Sequence, residues 1–120
     1  MKLIIGITGS TGVIYGIRML EVLKKLNIET HLVLSKWGEK CITMETDHTP
    51  EYVKSLAKSV SDEKNMAASV SSGTHRINGM IVAPCSMKTL AAIANGYDDT
   101  LVARAAGAVS YTHLTLPTKA

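Results

Sequence analysis

The feature that most constrains this chain is its opening. An apolar run, Lys2–Thr8 (KLIIGIT), breaks into the glycine-rich GITGSTG of Gly6–Gly12 and is followed at once by an amphipathic segment. KLIIGIT is rich in β-branched residues and does not alternate with polar ones, as a parallel strand buried on both faces requires. From Gly12 to Leu26 the polar Arg18, Glu21, Lys24 and Lys25 fall on one narrow stripe, while Val13, Ile14, Ile17, Leu20, Val22, Leu23 and Leu26 fill the rest. The spacing predicts a helix with a broad buried face and a Glu21–Lys25 surface pair. Asn27 stops that helix before a second apolar run, IETHLVL, which ends at Leu34. Strand, glycine turn, helix and strand make a βαβ unit, which commits the chain to a parallel sheet covered by helices.

The remaining segments extend the same pattern. KWGEKCITMETD after Ser35 reads as helical, and Thr49-Pro50-Glu51 opens another helix, with Thr49 as N-cap and Pro50 at its first position, whose patterning continues to about Val60. A short helix is expected around Met66 to Val70, followed by the small-residue loop SSGTH and a third buried strand, Gly79–Pro84 (GMIVAP). Ser86 caps a helix from Met87 to Ala94 that Asn95-Gly96 terminates, and Asp98 or Asp99 caps a last one from Thr100 to about Ala108. Three parallel strands result, with their strand-to-helix turns gathered on one edge of the sheet.

Composition narrows the function classes. With 120 residues, 46% of them hydrophobic and 19% charged, the chain has the balance of one ordinary domain. A net charge of +3 without any long Lys/Arg run, and only 4% aromatic residues, argue against a nucleic-acid partner. No apolar stretch reaches the ~18 residues of a bilayer span and no secretion signal precedes the first strand, so no membrane is implied and a cytoplasmic setting is expected. In that setting Cys41 and Cys85 are expected to be reduced thiols. His31, His48, His75 and His113 show no zinc-ligand spacing and there is no CxxC, so no metal is expected.

Three turns then converge on one edge. GITGSTG offers backbone N–H groups to an anion at a place where glycine lets a ligand come close. Its GxxGxxG spacing is neither a dinucleotide fingerprint nor a P-loop, which leaves a phosphate or flavin site and an empty tight turn as alternatives. Ser35, followed by Lys36 and Trp37, is either a helix cap or a ligand contact. PCSMKT, Pro84–Thr89, brings Ser86, Thr89 and the free N–H groups of a helix start to the same edge. Three polar helix starts on one edge point to a ligand crevice. Cys85 has no histidine placed to activate it and reads as a small buried hydrophobe. Glu45 and Asp47 in METD are candidate acid/base carboxylates whose pattern favours simple solvation. Arg104, on an alanine-rich helix, either reaches a phosphate or pairs with an acid. His31, His48 and His75 read as surface or satisfied positions.

The last residues, VSYTHLTLPTKA (109–120), replace an alanine-rich helix with an alternating polar stretch and no cap between them. VSYTHLTLPT resembles the translated end of a transposase-based sequencing adapter. The expected organisation is therefore the N-terminal portion of one α/β domain over 1–108 and a non-native tail over 109–120.

Taken together, GITGSTG, THLVLSKW, METD, the SSG loop, MIVAPCSMKTLAAIANG and LVARAA resemble the UbiX-type flavin prenyltransferase family over residues 1 to about 106. SKW and the Thr-containing glycine turn are most similar to its branch associated with aromatic-acid decarboxylases. The resemblance implies a Rossmann-like, flavodoxin-like three-layer parallel sheet, of which this chain holds only the N-terminal part, assembled as a homo-oligomer. It implies an enzyme that binds reduced FMN, adds to it a dimethylallyl group from dimethylallyl phosphate, and passes the prenylated FMN to a UbiD-type decarboxylase.

Carried over by position, Gly9, Ser10, Thr11, Ser35, Ser86, Met87, Lys88, Thr89 and Arg104 match the FMN-binding residues, and Glu45 matches an active-site carboxylate. Ser10-Thr11 stands where the family usually has Ala-Ser, so the catalytic hydroxyl passes to Thr11. After Arg104 the family continues RAADV and then a catalytic lysine, with later Glu, Tyr, Lys and Arg groups that hold the prenyl phosphate. Here Gly107 replaces the Asp, and those later groups are missing, so the chain as it stands is not expected to turn over. Two alternatives remain at this stage. One is an FMN-dependent cysteine decarboxylase of the phosphopantothenoylcysteine type, against which Val70 and a displaced His75 count. The other is a non-catalytic FMN-binding module.

Overall fold

The computed structural model describes residues 1–62, 77–96 and 100–112. In chain order the elements are β1 (Lys2–Ile7), α1 (Val13–Lys25), β2 (Glu29–Leu34), α2 (Lys36–Glu45), α3 (Pro50–Ser55), β3 (Ser59–Asp62), β4 (Gly79–Val82), α4 (Met87–Ala94) and α5 (Leu101–Thr112). The strands lie in the order β3-β2-β1-β4, and every pair is parallel. Lys2↔Glu29 through Ile7↔Leu34 sets the central register, and Leu3↔Gly79 through Gly6↔Val82 sets that of β4.

Successive residues of a strand point to opposite faces, so an unalternating apolar strand must feed two cores. Ile5, Ile7, Leu32 and Leu34 pack with Val13, Ile17 and Leu20 of α1, Ile42 of α2 and Val53 of α3. On the other face Ile4 and Val33 pack with Leu101, Val102, Ala105 and Val109 of α5. Helix, sheet and helix thus form the three-layer α/β arrangement implied by the sequence. Each fully buried Ile or Leu here contributes about 1.5–3 kcal/mol relative to exposure.

Several expectations need correction. The sheet has four strands, not three, among the described residues. Helical structure ends at Ser55, and Ser59–Asp62 pairs with His31–Leu34 because the outer edge of β2 otherwise leaves its buried backbone groups unpaired. On α1 the buried residues are Val13, Gly16, Ile17, Leu20 and Leu23, whereas Val22 and Leu26 are exposed. One helix packed on one face of a sheet buries a narrower stripe than its apolar composition would allow. Glu21 pairs with Arg18 at 3.1 Å and accepts the Tyr52 hydroxyl, instead of meeting Lys25. The last helix is capped by Thr100, whose Oγ1 accepts from Ala103 N–H at 3.2 Å, and it continues past Ala108 to Thr112. The expected helix at 66–70, the SSGTH loop with His75, the Asp98/Asp99 cap, and His113 with the rest of 113–120 lie outside the described residues.

Other local expectations match. Asn27 adopts φ 57, ending α1 in the left-handed turn that asparagine tolerates. Ser35, Thr49 and Ser86 cap α2, α3 and α4 by accepting from Gly38, Tyr52 and Thr89 N–H respectively. His31 is buried between Glu29 (2.7 Å) and Ser59 (2.5 Å), and His48 stacks on Tyr52. Cys41 and Cys85 are both free thiols. Among the described residues no helix is long and apolar enough to cross a membrane.

Candidate functional site

The chain runs from β1 to β2 to β3 in one direction, then returns to place β4 on the far side of β1. Where strand order reverses, the helices after β1 and β4 leave toward opposite faces, and their diverging turns open a crevice at the carboxyl ends of the strands. Thr8 and Pro84–Ser86 meet at that point. Thr8 Oγ1 donates to the Pro84 carbonyl at 2.7 Å and accepts from Ser86 N–H at 2.7 Å, while Thr8 N–H donates to the same carbonyl at 3.2 Å. A cis Ala83–Pro84 peptide lies within this turn. The two turns are thereby tied together as one floor.

Around that floor lies a cleft lined by Thr8, Gly9, Ser35, Trp37, Ser86, Lys88, Thr89, Ala92 and Thr100. It encloses about 140 Å³. Small-molecule pockets usually enclose ~300–1,000 Å³, so the cleft by itself has room for a group of about phosphate size.

The donors fit an anion. The N–H groups of Met87 and Lys88 at the start of α4, and of Lys36 and Trp37 at the start of α2, have no acceptor among the described residues, as expected of the first turn of a helix. Ser35, 5% exposed, accepts from Gly38 N–H at 2.9 Å, and its own proton has no acceptor among the described residues. Ser86 Oγ and Thr89 Oγ1 are 3.0 Å apart, so one of the two hydroxyl protons remains for a ligand. Lys88 adds a cation at the cleft wall. Two helix N-termini, spare hydroxyl protons and a lysine are the donor set of a phosphate site.

Gly9 shapes the opposite wall. A Cβ there would lie 2.2 Å from Trp37 Cβ, so only glycine lets the β1–α1 turn approach the start of α2. Gly12 caps α1 at φ 101, a left-handed conformation that glycine adopts without steric cost.

Of the residues singled out from the sequence, the fold brings Gly9, Ser35, Ser86, Lys88 and Thr89 into the cleft. Ser10 and Thr11 sit on the adjoining turn outside the lining, with Ser10 N–H donating to Thr8 O. Met87 is 77% exposed and does not line the cleft. Arg104 is exposed, one turn along α5 from the lining residue Thr100, and makes no ion pair among the described residues. Asp47 is exposed.

Glu45 is exposed, as its pattern favoured, and in addition its Oε1 accepts from Gly12 N–H at 3.2 Å, placing the carboxylate at the positive end of α1. The chain spacing of 33 residues hides that contact from local pattern. Thr8, Trp37, Ala92 and Thr100 were not assigned to the site from sequence. Thr8 reads as a strand residue and Trp37 only as a neighbour of Ser35 in SKW, and only the sheet order shows that they share a wall. Cys85 is half-buried, and burial pushes its thiol pKa up, consistent with an inert packing residue.

Comparisons with known proteins bear on this geometry. The Flavoprotein family profile matches residues 1–116. The mitochondrial flavin prenyltransferase of Saccharomyces cerevisiae is 50% identical over 105 residues, covering 88% of this chain and 43% of that protein. A UbiX crystal structure in complex with FMN and dimethylallyl pyrophosphate superposes with a TM-score of 0.87 at 51% identity, covering 89% of this chain and 57% of the other. A dodecameric FMN-dependent UbiX-like decarboxylase from Escherichia coli O157:H7 superposes with a TM-score of 0.90 at 49% identity, covering 92% and 61%. The chain spans about half the length of the curated relatives it matches.

Proposed function

Because the chain belongs to the Flavoprotein family, we propose that it carries the flavin-binding half of a flavin prenyltransferase, the activity named for its half-identical relatives. The observation that carries the reading is the donor set at the switch point. Unpaired helix-start N–H groups, the spare Ser35 proton and Lys88 surround one cleft, on a fold that superposes on an FMN-bound UbiX protein.

In this reading the start of α4, with Ser86, Lys88 and Thr89, and the cap residue Ser35 hold the FMN phosphate and its neighbouring hydroxyls. Gly9 lets the ligand approach the main chain, and Ser10 and Thr11 present hydroxyls from the same turn. Met87 contributes its backbone N–H, since its side chain faces solvent. Arg104 supplies a second cation to the phosphate from α5. Glu45, held by Gly12 N–H, is the carboxylate nearest the glycine turn, and its bond to the backbone fixes where it can accept or return a proton.

Reduced FMN, when bound, supplies the N5 and C6 positions that take up a dimethylallyl group from dimethylallyl phosphate. Cleavage of the allylic C–O bond leaves negative charge on the departing phosphate, which cations and N–H donors must stabilise. The product, prenylated FMN, is proposed to serve a UbiD-type decarboxylase, and the working assembly is proposed to be a homo-oligomer.

The test is anaerobic incubation with reduced FMN and dimethylallyl phosphate while flavin mass is followed, using the parent gene amplified from codon 1 past codon 106. A mass gain of one prenyl group with release of phosphate supports the reading; bound FMN of unchanged mass refutes prenyl transfer from this donor. The same amplification tests the proposal that 109–120 is not native sequence. An RAAD stretch followed by lysine supports it, and recovery of the same tail from genomic DNA overturns it.

A further inference from the structure

Trp37 is the only tryptophan of the chain. It lines the cleft and yet is 65% exposed, so its own burial does not account for its position. The backbone holds it there on two sides. Ser35 caps α2 through Gly38 N–H and donates its own N–H to the Ile7 carbonyl at 3.0 Å, fixing the first turn of the helix to the end of β1. Gly9 then packs against Trp37 Cβ so closely that no other residue fits between them. Beyond Cβ, the Lys40 ammonium lies 4.7 Å from the ring centroid and covers one face of the indole. No other cation or aromatic ring packs on the indole among the described residues, and Trp37 belongs to the wall of a cleft whose other lining residues include the helix-start donors.

We propose that Trp37 is a positioning residue that packs its free face against the planar ring of a phosphorylated aromatic ligand whose phosphate lies at the start of α4. The inference rests on the flavin reading above and deepens it by assigning the aromatic contact. Lys40 serves the same end from outside, since a cation on one face of the indole restricts rotation of the ring. An aromatic contact of this kind is specific for the ring, whereas the helix-start donors are specific for the phosphate. Removing Trp37 therefore separates the two halves of the ligand.

The experiment compares the full chain with Trp37→Ala and Trp37→Phe, measuring oxidised FMN by flavin fluorescence polarisation and inorganic phosphate by phosphorus NMR titration. In the unsubstituted chain FMN is expected to quench the single tryptophan. Trp37→Ala is expected to weaken FMN roughly three- to tenfold, the size of one aromatic pair. Inorganic phosphate is expected to bind unchanged, and Trp37→Phe to recover most of the FMN affinity. A structural role alone would weaken both probes together and would overturn the inference. Equal FMN affinity of Trp37→Ala and the unsubstituted chain overturns it as well, while leaving the flavin reading intact. If the unsubstituted chain binds phosphate but not FMN, the flavin reading itself fails.

Discussion

Replacing Gly9 by alanine puts the geometry of the cleft to a direct test. The added Cβ would lie 2.2 Å from Trp37 Cβ and 3.0 Å from its carbonyl carbon, where ordinary contact begins near 3.4 Å. The two segments must therefore part by about 1.2 Å. Neither atom can escape by a change of rotamer, because a Cβ and a carbonyl carbon move only with the backbone. The start of α2 resists that movement, being bonded to Ile7 through Ser35 N–H and capped by the Ser35 hydroxyl. Gly9 has no left-handed φ, so alanine would suffer no conformational strain and the whole effect would be steric.

Overpacking of a close contact of this kind costs ~1–3 kcal/mol. Urea unfolding followed by far-ultraviolet circular dichroism is expected to show a lower midpoint by that amount with an unchanged m value. FMN affinity is expected to fall with it, because the displaced wall carries Trp37 and Ser35. Gly107→Ala is the control: nothing lies within 4 Å of the added Cβ on α5. It is expected to leave FMN binding alone and to stabilise the helix by up to about 1 kcal/mol. A Gly9→Ala protein with the unfolding midpoint and FMN affinity of the original would refute the argument that this glycine sets the approach of α2 to the site.

Three further outcomes are expected. Thr8→Val keeps the shape of a residue that is 2% exposed but leaves Ser86 N–H without its acceptor, so the urea midpoint should fall by about 1–3 kcal/mol, and an unchanged midpoint would show that the tie between β1 and β4 is not needed. Ser86→Ala removes the cap of α4 and should cost about 1 kcal/mol together with a loss of phosphate affinity, both recovered in Ser86→Thr. Hydrogen bonds from Lys58 and then His31 hold the Glu29 carboxyl down at about 2, against an ordinary value of 4.5. Because the folded value is the lower one, the stabilisation is complete above about pH 4.5 and is lost as pH falls toward 2. Acid unfolding curves of Glu29→Gln should be flatter than those of the original chain within that window, and the difference should shrink at high salt.

The parts of the fold legible in the sequence are those fixed by local chemistry. Unalternating KLIIGIT and IETHLVL announce strands with two buried faces, and Ser35, Thr49 and Ser86 announce helix starts, because a cap is a bond between residues three apart. Asn27 announces a helix end for the same reason. What failed was decided by distant partners. SVSD is a short polar segment that no window of neighbours marks as a strand, and it becomes β3 because β2 offers it an edge. Val22 and Leu26 look like core residues on α1 and remain in solvent, since the sheet reaches only one stripe of that helix.

The site divides in the same way. Motif and resemblance named Gly9, Ser35, Ser86, Lys88 and Thr89, each recognisable from a turn of only a few residues. Thr8, Trp37 and Thr100 joined them only when the strand order β3-β2-β1-β4 brought the ends of β1 and β4 side by side. The sequence by itself therefore determined that this chain makes parallel βα units with anion-ready helix starts, because periodicity, caps and glycine turns act over a few bonds. Only the tertiary structure decided which starts share one cleft, that Glu45 reaches Gly12, and that Trp37 belongs to the cleft wall. Those contacts join residues tens of positions apart, and their geometry is set by how the sheet twists and reverses its order, which no local stretch of chain encodes.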